Sequence, residues 1–219
     1  LSIQSTSDTD DYMNYPVIAA NAAAAMTPEQ AAVWSYPMAH DLWKDEDEFC
    51  EETVFNMVSS MLLRIHLSGH LVQLDAMRRS LVKEGIEVYK LLRSDIPNAL
   101  PFWPLGLASY QKKWIAFGLK RNDHAYLAVW MRMAEEDKEN TVFKHGKEQT
   151  KQIPLPEDLL QMAERDEDIE IRCIYPTTLE TDYSYCKEKH TLVFRTNKKF
   201  TARLFRVTVK KKDTKTQET

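Results

Sequence analysis

Two rhythms of hydrophobic and polar positions run along this chain, and the change between them falls near its middle. Up to about residue 100, short apolar runs alternate with helical periodicity. Leu1–Gln4 reads as a buried strand, and the polar stretch Ser5–Asp11 as the loop after it. A helix is expected over Asn14–Ala25, with Pro16 tolerated in its first turn. Thr27-Pro28-Glu29-Gln30 has the form of a capping box opening a very short helix, because Ala31–Tyr36 reads as a second strand. Val54, Phe55, Val58, Met61, Leu62 and Ile65 fit a 3.6-residue period, and Arg64–Ser68 reads as a third strand. The long helix Asp75–Arg93 follows, with Asp75 as its N-cap and Leu74, Met77, Leu81, Val82, Gly85, Tyr89 and Leu92 along one face. Pro97 stops what comes next.

Strand, loop and helix repeated three times is the βα pattern of a parallel sheet or barrel. Three units are too few to close an eight-stranded barrel. With a start at Leu1, already inside an apparent strand, this leads us to expect a cut through a longer protein.

After Pro101-Phe102-Trp103-Pro104-Leu105-Gly106 the period falls to two. Trp114–Leu119 and Ala125–Met133 flank a turn at Lys120–His124, and Ile169, Ile171 and Cys173 alternate with charged residues. Leu192–Arg195 and Phe200–Val209 flank Thr196-Asn197-Lys198. The expectation is an antiparallel β-sandwich of about 110 residues, with the polar stretch Glu135–Lys151 as a loop. Phe102 and Trp103 are expected to join the two halves by burying their rings.

Composition narrows the function classes. Of 219 residues, 43% are hydrophobic and 28% charged, ordinary for a globular protein, and the net charge of -4 lacks the basic patch of a nucleic-acid binder. Lys210–Lys212 reads as a solvated tail. No apolar run approaches the roughly 20 residues that span a bilayer. Cys50, Cys173 and Cys186 show no CxxC spacing, which argues against a disulfide framework and a zinc site, although a Cys173–Cys186 bridge stays open. No cofactor or metal is implied.

The carboxylates of Asp8, Asp10 and Asp11 stand where a barrel carries its catalytic groups, just past a strand and before a helix. Read without further context, one of them is catalytic or one caps the next helix. The run Asp45–Glu52 reads as a solvated acidic loop.

Several segments together resemble glycoside hydrolase family thirty-six. They are Ser7-Asp8-x-x-Asp11, Tyr15–Ala25, Thr27–Pro37, Leu67-Ser68-Gly69-His70-Leu71 and Pro101–Gly106. The likeness runs from Leu1 to about Trp130, and beyond it only the domain type is similar. It implies the C-terminal third of a (β/α)8 TIM barrel over residues 1–106, then an antiparallel β-sandwich over 107–219. The implied activity is that of a retaining α-galactosidase acting on melibiose- and raffinose-like sugars.

By that resemblance Asp8 is the general acid/base, and Asp11 is a cap or hydrogen-bond partner that orients the loop beside the substrate. Asp10 falls where the family has a neutral residue. Trp34 and Ser35 at the end of the second strand border the sugar pocket, and Ser68 and Gly69 mark a close backbone approach to it; Trp34 as barrel core stays open. His66 is read as packed or capping. The nucleophile would lie on an earlier strand, so these residues alone are expected to be inactive, and an exposed strand edge to promote self-association. An α-N-acetylgalactosaminidase of the same fold and a non-catalytic carbohydrate-binding module are the alternatives. Compartment, secreted or cytoplasmic, and a homo-oligomeric parent stay open.

Overall fold

The computed structural model describes residues 3–7, 11–38, 46–133, 148–163 and 168–210. It begins with three parallel strands, β1 (Gln4–Ser7), β2 (Ala31–Ser35) and β3 (Arg64–Leu67), in the order β1-β2-β3. Helices α1 (Tyr15–Ala22), α2 (Glu46–Met61) and α3 (Ala76–Leu92) follow each strand in turn. Among the described residues no barrel closes.

The first strand sits later than its apolar residues suggest. Gln4 pairs with Ala31 and Ser5 with Ala32, so Ser5–Ser7, read as loop, is strand, while Ile3 is half exposed. Polar residues serve here because backbone pairing carries the strand, and the Thr6 hydroxyl adds a bond to the Ala32 carbonyl at 2.9 Å. Helix α1 is shorter than expected, the chain passing into turns after Ala22. Thr27 opens only a 3-10 turn, and its hydroxyl donates to the Gln30 side chain rather than capping a backbone N–H.

Helix α2 departs furthest from the sequence reading. It starts at Glu46, and every residue from 51 to 63 is buried. A helix enclosed all round has to satisfy most of its polar groups internally. Thr53 donates to the Pro37 carbonyl, Ser59 to Phe55 O, and Ser60 to Met57 O, while the Ser59 hydroxyl accepts from Trp130 Nε1. The acidic run is therefore not solvated at its end. Glu51 is 3% exposed and Glu52 is fully buried. Glu52 pairs with Arg78 of α3 at 2.6 Å, and Glu51 reaches Arg203 of a strand described below.

Asp75 caps α3 as expected, accepting the Arg78 N–H at 2.8 Å. Leu81, Val82, Gly85 and Leu92 are buried along it, but Met77, read as part of that face, is 43% exposed.

The second half is antiparallel. Strands β4 (Leu100–Phe102), β5 (Trp114–Lys120), β6 (His124–Met131), β8 (Ile169–Tyr175) and β11 (Thr201–Val209) form a five-stranded sheet, ordered β4-β5-β6-β11-β8. β7 (Gln149–Pro154), β9 (Asp182–Cys186) and β10 (Thr191–Thr196) form a second sheet, ordered β7-β10-β9. A short helix α4 (Glu157–Leu160) follows β7. Gln149–Lys151, read as loop, belongs to β7; residues 135–147 of that expected loop lie outside the described residues. Thr196-Asn197-Lys198 carries the chain from one sheet to the other.

Residues alternate across the large sheet, and both faces are apolar. Ile115, Phe117, Tyr126, Ala128 and Trp130 join the core shared with the three helices. Ala116, Leu127, Val129, Phe205 and Val207 join Ile153, Leu192 and Phe194 in a second core between the sheets. Gly118 must be glycine here, because an added Cβ would stand 2.2 Å from the Phe102 ring that lies across it.

Polar bolts tie α1 to the antiparallel half. Trp103 Nε1 donates to Ala20 O at 2.6 Å. The Asn21 amide exchanges two bonds of 3.0 Å with the Ala108 backbone, and buried Arg132 donates to Met13 O at 2.6 Å. Cys50, Cys173 and Cys186 are all free thiols.

Candidate functional site

Because β1, β2 and β3 run parallel, their carboxyl ends share one edge of the sheet, where open α/β sheets place their ligands. Asp8 follows directly after β1 but, with Asp10, lies outside the described residues. The other five sequence-predicted residues all fall at or near this edge.

Asp11 opens the approach to α1. Its carboxylate accepts the Met13 N–H at 3.2 Å and the Asn14 side-chain amide at 2.7 Å. The Asn14 carbonyl oxygen in turn accepts from Arg132 Nη2 at 3.3 Å. Asp11 is thus the outer member of a chain of bonds running from the loop to the antiparallel sheet.

Ser35 and Trp34 are neighbours that face opposite ways, as strand geometry requires. The Ser35 side chain is fully buried and its hydroxyl donates to Met57 Sδ of α2 at 3.6 Å, so it reaches the site edge only through its backbone. Its carbonyl accepts the Ser68 N–H at 2.9 Å. Trp34 is half-buried and packs partly against the main core. Its indole N–H donates to Ser5 Oγ at 3.3 Å, and the His66 ring stands nearly perpendicular to it at 5.0 Å.

Gly69 takes φ +84, a left-handed conformation glycine adopts without strain, and a Cβ there would press on the Met38 carbonyl at 3.2 Å. Ser68-Gly69 is therefore a tight exit from β3 packed against the exit from β2.

The site edge thus gathers Trp34, Ser68, Gly69 and the Ser35 backbone, with Asp11 on the adjoining loop. Sequence reasoning left out Ser5 and treated His66 as packing. The signal that could have found them is the parallel register, which sets His66 opposite Trp34 and Ser5 diagonally beside it.

A separate cleft of about 910 Å³ lies between the first turns of α2 and α3 and strands β9 and β10. Much of its charge is matched from within: Asp75 caps α3, Asp182 pairs with Arg195, and Glu51 with Arg203. Among the described residues, no cluster of three or more His, Cys, Asp or Glu side chains could hold a metal ion. No helix among them is long and apolar enough to cross a membrane.

No family model matches the sequence, and no curated protein matches it significantly. Solved structures do match in fold. An AgaA α-galactosidase variant of Geobacillus stearothermophilus, a GH36 enzyme in complex with raffinose, superposes with a TM-score of 0.61 at 13% identity. The GH36 α-galactosidase AgaB of the same organism gives 0.60 at 14%. The α-galactosidase of Lactobacillus brevis gives 0.58 at 10%. Each match covers 93% of this chain and 25% of the other, so the chain spans about a quarter of the length of these structures. The likeness is one of fold, a mixed arrangement of helices and antiparallel sheets.

Proposed function

We propose that this chain is the C-terminal part of a retaining α-galactosidase. Residues 1–106 contribute the closing βα units of a (β/α)8 barrel and the first antiparallel strand, β4, and residues 107–219 the rest of a sandwich packed against its helices. The substrate class is terminal α-galactosides of the raffinose type, with Asp8 as general acid/base. The observation that carries the reading is positional: Ser7-Asp8-x-x-Asp11 begins at the carboxyl end of a parallel strand, in a chain whose fold neighbours are GH36 α-galactosidases.

In this reading Asp8 protonates the glycosidic oxygen as the leaving group departs, then takes a proton from the water that attacks the sugar–enzyme ester. Asp11 holds the loop. The partner carboxylate belongs about 5–5.5 Å away. Glu51 and Glu52 do not supply it, being locked to Arg203 and Arg78. The resemblance puts the nucleophile on an earlier barrel strand.

The test is Asp8→Ala in the protein that carries these residues. Turnover of raffinose, a poor leaving-group substrate, should fall by about 10²–10⁴-fold. Aryl α-galactosides, which need little protonation, should lose less, and azide should restore the second step. Equal losses on both substrates without azide rescue would remove Asp8 from the acid/base role.

A further inference from the structure

We propose that Ser5, Trp34 and His66 form a mounted aromatic platform for a galactosyl ring, an inference that rests on the α-galactoside reading above. Trp34 is the contact surface; Ser5 and His66 are positioning residues that set its plane.

Three adjacent parallel strands contribute one residue each. Trp34 and His66 are register partners on β2 and β3, and Ser5 pairs with Ala32, two residues before Trp34. Val33 belongs to the main core and Ser35 contacts Met57, while Trp34 between them packs partly against the same core and reaches across to the neighbouring strands. The indole is bracketed from both sides there. Its N–H donates to Ser5 Oγ at 3.3 Å, and the His66 ring meets it at 81° with centroids 5.0 Å apart. That near-perpendicular packing is a favoured aromatic geometry.

Trp34 is half-buried: core contacts hold part of its indole, and the bonds to its neighbours on β1 and β3 fix the rest. Fixing it in advance spares a ligand the entropy of ordering it. The electron-rich face of an indole attracts the partly positive C–H groups of an apolar surface. A galactosyl ring, with its C3, C4 and C5 hydrogens on one side, presents such a surface. The position also suits this role, one residue from the carboxyl end of β2, next to the edge that Asp8 follows on β1.

Saturation-transfer NMR with raffinose and with galactose, on the whole protein that carries these residues, tests the assignment. Wild type should transfer saturation to the galactosyl C–H protons, and Trp34→Ala should abolish the transfer. Ser5→Ala and His66→Leu, which leave the contact residue in place, should each raise the Kd by about three- to tenfold. Ser5→Thr keeps the acceptor and His66→Phe keeps a perpendicular ring, so both should restore binding to within about twofold of wild type. A purely structural role would lower the melting temperature of Ser5→Ala and His66→Leu and leave the Kd alone; that result overturns the proposal, as does the absence of transfer from folded wild type. Platform-dependent binding in a protein that hydrolyses no galactoside would sink the hydrolase reading alone. Hydrolysis with a Kd indifferent to all three residues would sink the platform alone.

Discussion

Arg203 grips the carboxylate of Glu51 with both terminal nitrogens, Nη1 to Oε2 and Nη2 to Oε1, each at 2.8 Å. Both side chains are 3% exposed, so the fork joins α2 to β11 at the floor of the cleft, largely shielded from water. Burial alone would weaken the guanidinium's hold on its proton; the Glu51 charge and hydrogen bonds outweigh that and raise the Arg203 pKa. Arg203 Nε also donates to Thr181 Oγ1 at 2.8 Å, and the Thr201 hydroxyl donates to Glu51.

Breaking a buried pair from one side leaves the other charge uncompensated. Arg203→Met should therefore cost about 3–5 kcal/mol in urea unfolding. Glu51→Leu combined with Arg203→Met should recover most of that loss, because two apolar side chains strand no charge. A single-variant cost under about 1 kcal/mol would place the pair in the class of solvent-screened ion pairs and contradict its burial.

A second polar cluster makes stability depend on alkaline pH. The Tyr126 hydroxyl donates to Asp95 Oδ2 at 2.8 Å, and the same oxygen faces His124 Nε2 at 3.2 Å. Burial first, then the bond to Asp95 and its charge, push the Tyr126 pKa up from the ordinary 10.0. Buried Tyr175 shifts the same way. Above pH 10 the unfolded chain has released these protons while the folded chain keeps them. The contribution is therefore complete below pH 10 and is lost as pH rises through the folded-state pKa. In Tyr126→Phe the alkaline decline should be shallower, by up to about 1.4 kcal/mol per pH unit. At pH 7 the variant should lose about 1 kcal/mol for the missing bond. Urea titrations at pH 7, 9, 10 and 11 read both effects, and identical alkaline slopes in the two proteins would refute the assignment.

How far the sequence foretold this structure depended on the range of the forces involved. Val33 in β2, Leu81 in α3 and Leu127 in β6 follow local periodicity, and their elements appear where the period changes. Glu51 and Glu52 defeated the reading because what buries them lies far along the chain: Arg203 is 152 residues from Glu51, and Arg78 is 26 from Glu52. Acidity looks like solvation until the partner is known. Ser5–Ser7 was read as loop for a related reason, since a polar strand is recognisable only from its pairing with β2. At the candidate site, the role of Asp11 as a hydrogen-bond partner at the entry to α1 could be read locally. The bracket on Trp34 could not, because a parallel register across three strands brings its members together.

Asp11 offers a sharper test than its exposed position suggests. Its carboxylate can only accept hydrogen bonds, which compels Asn14 to present its Nδ2 to it and its Oδ1 to Arg132. Asp11→Ala should cost about 0.5–2 kcal/mol, the usual loss when a helix-entry acceptor is removed. Asp11→Asn, normally the gentler change, should cost nearly as much. The substituted amide keeps one oxygen for the Met13 N–H, but its NH₂ group then faces the NH₂ of Asn14. Flipping Asn14 relieves that clash only by turning a donor toward Arg132 Nη2 and giving up the 3.3 Å bond. Thermal unfolding of Asp11→Ala, Asp11→Asn and Asn14→Ala reads the stability side, and a neutral Asp11→Asn would show that the chain of bonds to Arg132 carries no energy. Activity reads the other side. With Asp8 as acid/base, Asp11→Asn should lower turnover of raffinose and aryl α-galactosides by the same modest factor, since a displaced loop affects both alike. A loss confined to raffinose and larger than that of Asp8→Ala would move the acid/base role from Asp8 to Asp11.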